Sequence, residues 1–246
     1  MAPSKTDESL AWRNKHAWNA LYQSTDQEIW GKEPVGFLPE FTGLLHECLL
    51  DLPSVRVLDA ATGEGRNLDS LLQLVAGEGI DGRLVCCDSS KEALRKIPTS
   101  IREQLEIVHC DLAETPFPDG SFDLVLMSDV IETLPNLEEV LGEIHRILKP
   151  GGWLLCNIPG DDDPVADHQM VALSANPGAL YQDRYFFHFY EKEEAEALLA
   201  VHGLTVEYSQ ACRWEEAAHP NFRSVPHEHE SNVFLARKSM GCGEGS

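Results

Sequence analysis

Short hydrophobic runs alternate with helical patterns along the central part of the chain. Five runs rich in Val, Leu and Ile each end in a polar or glycine-bearing turn, and segments with apolar residues three or four positions apart separate them. The runs are SVRVLDA, GRLVCCD, LEIVHCD, FDLVLMSD and WLLCNIP. Strands that alternate with helices pair in parallel, with helices on both faces of the sheet. The pattern therefore predicts an α/β fold.

Two helical patterns precede the first strand, at residues 8–24 and 37–52. We expect them to form an N-terminal helical cap over residues 1–50, in front of a core domain that spans residues 51–246. The segments LTVEYSQACRW and SNVFLARKS predict two last strands.

Two insertions interrupt the core, near residues 160–190 and 214–230, and long loops within compact domains are often functional. The first insertion carries the aromatic run at residues 185–190. We expect this run mainly to pack against the sheet edge, with a lid over the site as the alternative.

Composition and charge exclude several classes of partner. The chain has 43% hydrophobic residues and a net charge of −22, so its field opposes phosphate backbones and anionic lipid. Apolar runs stay well short of the ~20 residues that span a bilayer, and the seven cysteines form no CxxC pair. We therefore expect a cytoplasmic monomer or homodimer that binds neither nucleic acid nor membranes and has no disulfide framework.

A glycine-bearing turn follows the first strand in VLDAATGEGRN, at residues 57–67. Glycine lets a ligand approach the backbone, and a helix N-terminus offers unpaired N–H groups. The dinucleotide-binding pattern needs a third small residue, which is missing here, and Glu64 suits a pyrophosphate poorly. The turn therefore favours a cofactor without phosphates.

Asp88 and Asp111 end the second and third strands. The carboxyl ends of parallel strands meet at the sheet edge where open α/β folds bind ligands. There Asp88 can accept hydrogen bonds from both hydroxyls of a ribose, and Asp111 can accept one from an adenine amino group. Helix capping is the alternative role for either residue alone.

The motifs VLDAATGEGRN, VCCDSS, HCDLAETPFPDGSFDLVLMSDVIETL and LKPGGWLL resemble, in this order and spacing, class I S-adenosylmethionine-dependent methyltransferases of the small-molecule type. The resemblance is close over residues 54–160. GEGRN and the upstream WGKEP look like the tellurite-resistance and thiopurine branch, whereas FDLVLMSDVIETL and LKPGG fit the ubiquinone-biosynthesis-like branch equally well. Ala61 departs from the family pattern, which usually has Gly there.

The resemblance implies a Rossmann-like seven-stranded sheet of order 3-2-1-4-5-7-6, with strand 7 antiparallel. It also implies a site for the methionine part of S-adenosylmethionine. Asp59 would orient the amine, and Ala61, Gly63 and Gly65 would line the tail with backbone. Arg66 would pair with the carboxylate, although a solvent-facing Arg66 is equally compatible with the sequence.

For the adenosine part, the resemblance assigns Asp88 to the ribose hydroxyls and Ser89 to the side of the adenine. Asp111 would meet the adenine amino group, and the backbone of Leu112 would meet the ring. Ser128, at the end of the fourth strand, would face the sulfonium and its methyl group.

Aromatic residues are concentrated in the first 30 positions. Because WGKEP looks like the segment that covers the cleft in the family, we expect Trp30 and Pro34 to cover the cofactor. Trp12, Trp18 and Tyr22 are predicted to serve packing.

Two groups of residues are candidates for the acceptor side of the site. Asp129, Glu132 and Thr133 follow the fourth strand, and a solvated turn is the alternative for them. The second group comprises His219, Arg223 and His227 in the second insertion. Arg223 would bind an anionic group, and a histidine would act as base or hydrogen-bond donor, with a solvated His-rich loop as the alternative. His227 and His229 form a His-x-His pair with His219 nearby, but a supporting Cys pattern or a second spaced pair is lacking, so we expect no metal ion here.

Together these features predict an S-adenosylmethionine-dependent methyltransferase that acts on a small molecule at an O, N, S or metalloid centre and releases S-adenosylhomocysteine. Asp129, His219, Arg223 and His227 are its candidate catalytic residues. A protein that binds the cofactor without transferring methyl groups is the alternative, followed by an NAD(P)-dependent oxidoreductase.

Overall fold

The computed structural model describes residues 9–160, 170–172 and 178–240. The helices are α1 (Leu10–Gln23), α2 (Leu38–Leu49), α3 (Leu68–Val75), α4 (Lys91–Lys96), α5 (Thr99–Arg102), α6 (Leu137–Ile147) and α7 (Lys192–Val201), with a 3-10 helix, η1, at Ile131–Thr133. The strands are β1 (Val55–Ala60), β2 (Gly82–Asp88), β3 (Glu106–His109), β4 (Phe122–Met127), β5 (Leu148–Pro159), β6 (Met170–Ala172), β7 (Ala179–Tyr181), β8 (Tyr185–Phe187), β9 (Leu204–Glu216) and β10 (His227–Lys238).

Seven strands form the central sheet in the order β3-β2-β1-β4-β5-β10-β9. The first five pair in parallel, whereas β10 runs antiparallel to both β5 and β9. When only the strands of this sheet are numbered, the order is 3-2-1-4-5-7-6 with an antiparallel seventh strand. The predicted sheet topology is confirmed.

Helices cover both faces of the sheet, as predicted. On one face, α6 and α7 bury residues such as Ile144 and Leu199. On the other, α2 and α3 bury Phe41 and Leu71. The helix α2, which the sequence placed in the cap, thus packs in the core. No helix within the described ranges is long and apolar enough to cross a membrane.

The helix α1 lies over the carboxyl edge of the sheet, where Asn14 holds it. The buried Asn14 amide donates from Nδ2 to the Thr133 carbonyl at 2.7 Å, and its Oδ1 accepts the Phe186 N–H at 2.9 Å. A polar group buried between two elements needs such partners to offset its lost hydration. The hydrogen bonds therefore fix α1 against η1 and β8.

The first insertion contains a separate antiparallel sheet of order β6-β7-β8. Only part of the aromatic run packs against the central sheet, where Tyr190 is buried in the same core cluster as Ile158 of β5. Tyr185 and Phe187 are instead buried with α1 residues in a third hydrophobic cluster. The parts of this insertion at residues 161–169 and 173–177 lie outside the described residues, as do residues 1–8 of the predicted cap.

The second insertion is shorter than predicted. The strands β9 and β10 continue to Glu216 and from His227, so that residues 217–226 alone connect them. His227 and His229 are strand residues. They pair in register with Glu216 and Trp214, which brings the ends of both strands to the same place.

Candidate active site

A cavity opens at the carboxyl ends of the parallel strands, beneath α1. Of the predicted site residues, Asp59 and Gly65 do not line it, and neither does Pro34, which was expected to cover the cofactor. Those that do are Trp30, Ala61, Gly63, Arg66, Asp88, Ser89, Asp111, Leu112, Ser128, Asp129, His219, Arg223 and His227. The fold therefore brings the predicted cofactor side and the predicted acceptor side into one cavity.

The turn after β1 runs through left-handed backbone. Ala61 has a φ of 57° and Gly63 a φ of 58°, which explains why glycine suits position 61 better than the alanine found here. A Cβ on Gly63 would stand 2.8 Å from the Tyr22 hydroxyl, so this close approach of α1 requires glycine. The turn therefore depends on α1 as well as on β1.

Asp88 ties the turn to the end of β2. Its Oδ2 accepts the Gly63 N–H at 2.9 Å, and its Oδ1 accepts the Ser90 N–H at 2.7 Å. The carboxylate is buried but lines the cavity. Each of its oxygens keeps a lone pair for a ligand.

Asp111, beyond the end of β3, forms an ion pair with Lys15 of α1. Its Oδ1 accepts the Ala113 N–H at 3.0 Å. Lys15 also lines the cavity, and nothing in the local sequence marks it as a partner of this strand end.

Asp59 lies behind the turn, with 1% of its surface exposed. Its Oδ2 accepts a hydrogen bond from the Thr62 hydroxyl at 2.5 Å. Burial raises the pKa of the Asp59 carboxyl to about 7, although the Thr62 hydrogen bond opposes the shift. In this structure Asp59 stabilises the turn and does not form part of the cavity wall.

The raised pKa makes the stability of the protein depend on Asp59 and pH. The folded protein keeps a proton on Asp59 that the unfolded chain releases above pH 3.8, so stability falls as the pH rises towards about 7. Between pH 5 and 8, we expect the Asp59→Asn variant to gain roughly 2 to 3 kcal/mol relative to wild type. Urea denaturation at both pH values measures this difference; an equal difference at both would contradict the prediction.

Arg66 joins the two sides of the cavity. It donates to Asp129 at 3.1 Å and to Glu216 at 2.8 Å, with 10% of its side chain exposed. Burial alone would lower the pKa of the guanidinium, but the two carboxylates raise it. The alternative of a solvent-facing Arg66 is therefore wrong, and the pairing of Arg66 with Glu216 was not predicted from the sequence.

The segment after β4 is ordered by hydrogen bonds rather than solvated. Asp129 has a φ of 52° and exchanges two hydrogen bonds of 2.8 Å with the Asn157 amide. Glu132 and Thr133 are buried in η1. The alternative of a solvated turn is therefore wrong, and Asp129, Glu132 and Thr133 all line the cavity.

His219 is buried, and both of its ring nitrogens have close neighbours. Its Nδ1 lies 3.0 Å from the Ile29 carbonyl oxygen, and its Nε2 lies 2.9 Å from Glu216 Oε2. Although burial alone would raise the pKa of Glu216, the His219 hydrogen bond and the Arg66 charge hold it well below its usual range. Glu216 is therefore a carboxylate at all ordinary pH values.

His227 lies beside this pair, at the start of β10. Burial lowers its pKa to about 4, and the neighbouring His229 and Arg223 act in the same direction. Its ring is therefore neutral at pH 7. Its Nε2 lies 2.9 Å from that of His229, which stacks on Trp214 at 5.2 Å between ring centroids.

Aromatic side chains close the cavity on the side of α1. The Trp30 indole donates to the Tyr22 hydroxyl at 2.9 Å, and its ring lies 4.8 Å from that of His219. Trp18 contacts Phe222 at 5.5 Å between ring centroids. Trp18 and Tyr22, which the sequence assigned to packing, also line the cavity, whereas Trp12 is 43% exposed.

Glu64 holds the segment that carries Trp30 in place. Its Oε2 accepts the Ile29 N–H at 2.7 Å, and its Oε1 pairs with Lys96 at 2.8 Å. The acidic residue that argued against a pyrophosphate therefore binds the backbone next to Trp30.

Glu216 lines the cavity but, like Lys15, was not predicted from the sequence. The sequence predicts a polar insertion over residues 214–230, so it does not predict that Glu216 lies at the end of β9. The alternation of Cys212, Trp214 and Glu216 along one face of a strand was the available signal.

The family described as "Methyltransferase domain" matches residues 58–156. These residues include the turn after β1, the ends of β2 and β3, and the segment after β4. This part of the chain is similar to methyltransferase domains. Residues of β9 and β10, which complete the cavity, lie outside the matched part.

Curated proteins similar to the chain include two groups of quinone-biosynthesis enzymes. The demethylmenaquinone methyltransferase of Listeria welshimeri is 33% identical over 114 residues, which cover 42% of this chain and 47% of the relative. The ubiquinone/menaquinone biosynthesis C-methyltransferase of Brucella anthropi is 33% identical over 109 residues, or 42% and 40% of the two chains. The chain thus spans less than half the length of the curated relatives it matches.

Solved structures share the fold over nearly the whole chain. The 1,6-didemethyltoxoflavin-N1-methyltransferase of Burkholderia thailandensis, solved with 1,6-didemethyltoxoflavin and S-adenosylhomocysteine, is 20% identical. The alignment covers 97% of this chain and 93% of that one, with a TM-score of 0.64. A possible histamine N-methyltransferase of Thermotoga maritima is 17% identical over 94% and 100% of the chains, with a TM-score of 0.53. At these identities the similarity shows the fold.

Proposed function

We propose that the protein transfers a methyl group from S-adenosylmethionine to a small-molecule acceptor. The observation that carries this proposal is the shared cavity, in which Asp88, Asp111 and the Gly63 turn stand on one side and Asp129, with the histidines, on the other. When bound, S-adenosylmethionine supplies a methyl group on a positively charged sulfur. Transfer from such a centre is a displacement that depends mainly on positioning.

The residues present fit the cofactor. Asp88 is a buried carboxylate on the cavity wall whose oxygens have remaining acceptor capacity, as two ribose hydroxyls require. Asp111 and Leu112 supply an acceptor and an apolar surface for an adenine. The left-handed turn at Ala61 and Gly63 exposes backbone on the cavity wall, where the methionine part would lie.

Three roles predicted from the resemblance remain proposals. Arg66 would have to exchange at least one carboxylate partner to bind the cofactor carboxylate. Ser128, whose hydroxyl accepts a hydrogen bond from the Asn67 amide at 2.8 Å, would face the methyl group. Asp59 does not line the cavity. It would therefore affect the cofactor amine only indirectly, by holding the turn in place.

The acceptor side offers both charges and proton acceptors. Arg223 lines the cavity and would bind an anionic group of the acceptor. His227 is neutral at pH 7 because of its low pKa, so it would accept a proton or a hydrogen bond from an acceptor. Asp129 is held by Asn157 and would orient a donor group of the acceptor.

The aromatic side chains that close the cavity favour a small acceptor over a macromolecule. Trp18, Trp30 and Phe222 wall the cavity, so an acceptor must fit beneath them. The net charge of −22 opposes nucleic acid. The similarity to an enzyme solved with 1,6-didemethyltoxoflavin agrees with a small acceptor.

Calorimetric titration with S-adenosylhomocysteine tests the proposal, with NADH and NADPH as controls. We expect micromolar binding of S-adenosylhomocysteine alone, followed by transfer of labelled methyl groups to at least one member of a mixed panel of small acceptors. Failure of a folded sample to bind S-adenosylhomocysteine would refute the proposal. Binding without transfer to any acceptor would favour a binding protein, and binding of a nicotinamide cofactor would favour an oxidoreductase.

A further inference from the structure

Four side chains of types that can ligate a metal ion converge where β9, β10 and the connection between them meet. Oxygen and nitrogen atoms of Glu216, His219 and His227 all lie within 4.8 Å of one another. His229 Nε2 adjoins them, 2.9 Å from His227 Nε2 and 3.9 Å from Glu216 Oε2. All four residues line the cavity.

The two histidines are oriented as metal ligands are. A ligating imidazole usually donates its second ring N–H to a carbonyl or carboxylate, which fixes the free nitrogen towards the metal. Here His219 Nδ1 lies 3.0 Å from the Ile29 carbonyl oxygen, and His227 Nδ1 lies 3.3 Å from that of Val225. Both Nε2 atoms therefore face the centre of the cluster, where a bound ion would take their lone pairs and replace the present contacts of His219 with Glu216 and of His227 with His229.

Glu216 is oriented in the same way. Its Oε1 accepts hydrogen bonds from Arg66 at 2.8 Å and from the Trp214 indole at 3.0 Å. Its Oε2 is directed at His219. With one oxygen held by neighbouring donors, the other is left to face the histidines, as expected for a ligating carboxylate.

We infer that Glu216, His219 and His227 bind a divalent transition-metal ion such as Zn²⁺, with His229 beside the site. Two imidazoles and a carboxylate are a common ligand set for Zn²⁺ and for non-haem iron. With ligand bonds of about 2.1 Å, the ligand atoms of a tetrahedral site stand about 3.4 Å apart, so the observed cluster needs only small side-chain movements. The sequence alone did not predict this site, because it showed a His-x-His pair with a nearby His but did not place Glu216 beside them.

The site would take an acceptor with a group that can bind the metal, such as an anionic oxygen or a thiolate. The three ligands face the cavity, and sites with three protein ligands leave a coordination position for a substrate or water. Metal binding itself does not depend on the proposed methyl transfer and can be tested without cofactor or acceptor.

The test uses the full chain after treatment with a chelator and dialysis. Calorimetric titration with ZnCl₂ is expected to show one ion bound per chain, at least about tenfold more weakly in His227→Gln and in Glu216→Gln. His46→Gln is the matched control, because His46 lies on the exposed part of α2 and contacts the Glu78 carbonyl. Circular dichroism shows whether each variant is folded.

Titration with Co²⁺ gives a second readout. We expect visible ligand-field absorption in the wild type and in the His46→Gln variant, and its loss in folded His227→Gln. A folded wild type that binds neither ion stoichiometrically would overturn the inference, and the cluster would then be a hydrogen-bonded network. Retention of wild-type Zn²⁺ affinity by both cluster variants would overturn it as well.

Discussion

Replacing Asp88 with alanine is expected to weaken the binding of S-adenosylhomocysteine at least about tenfold, or about 1.4 kcal/mol. The carboxylate lies on the cavity wall at the end of β2, where it would accept hydrogen bonds from ribose hydroxyls. Hydrogen bonds to a charged group contribute about 1.5–3 kcal/mol each, so the loss of two would weaken binding by about a hundredfold or more. Calorimetric titration measures the change.

Asp88 also accepts the N–H groups of Gly63 and Ser90, so the variant must be shown to be folded. An Asp88→Asn variant keeps the shape and one carbonyl oxygen and should bind with intermediate affinity. Asp81→Ala is the matched control, because Asp81 is an exposed acidic residue just before the opposite end of the same strand. Unchanged affinity in a folded Asp88→Ala variant would mean that the ribose is not held at this strand end.

Replacing Arg66 with methionine is expected to reduce the free energy of unfolding by about 3 kcal/mol. The guanidinium lies between Asp129 and Glu216, and only 10% of its side chain is exposed. Without it, two carboxylates face each other in a partly buried site, and such uncompensated charge is strongly destabilising. Denaturation by urea at pH 7 measures the loss.

Arg213→Met is the control for the loss of an arginine that also forms two ion pairs. Arg213 is 65% exposed and pairs with Glu228 and Glu230, so its removal should change stability by less than about 1 kcal/mol. Adding Asp129→Asn to the Arg66→Met variant should recover part of the loss, because one of the two unpaired charges is then absent. Equal losses in the two single arginine variants would contradict this account of Arg66.

The sheet could be predicted because its signal is local. Each central strand is a short apolar run, and Val125 and Leu155 are typical of positions that are buried on both sides of a parallel sheet. The outer strand β9 was predicted too short because it lies at the sheet edge, where polar residues such as Arg213 and Glu215 remain in solvent. Its last residues therefore looked like a loop.

The proposed cofactor side of the cavity was predictable for the same reason. Asp88 and Asp111 follow strands whose carboxyl ends meet wherever the sheet forms, so their neighbourhood follows from chain position alone. The acceptor side was predicted by residue type but not by arrangement. His219 and His227 were identified as candidates, whereas Glu216, which contacts both His219 and Arg66, was missed.

The sequence by itself determined the order of strands and helices, the glycine turn and the acidic residues at the strand ends, because neighbouring residues set all of these. Only the tertiary structure decided which charges meet. Arg66 reaches Glu216 across 150 positions, and His219 reaches the Ile29 carbonyl across 190. Such contacts depend on how β9, β10 and the segment after α1 pack over the sheet edge, and no periodicity within a single segment records that packing.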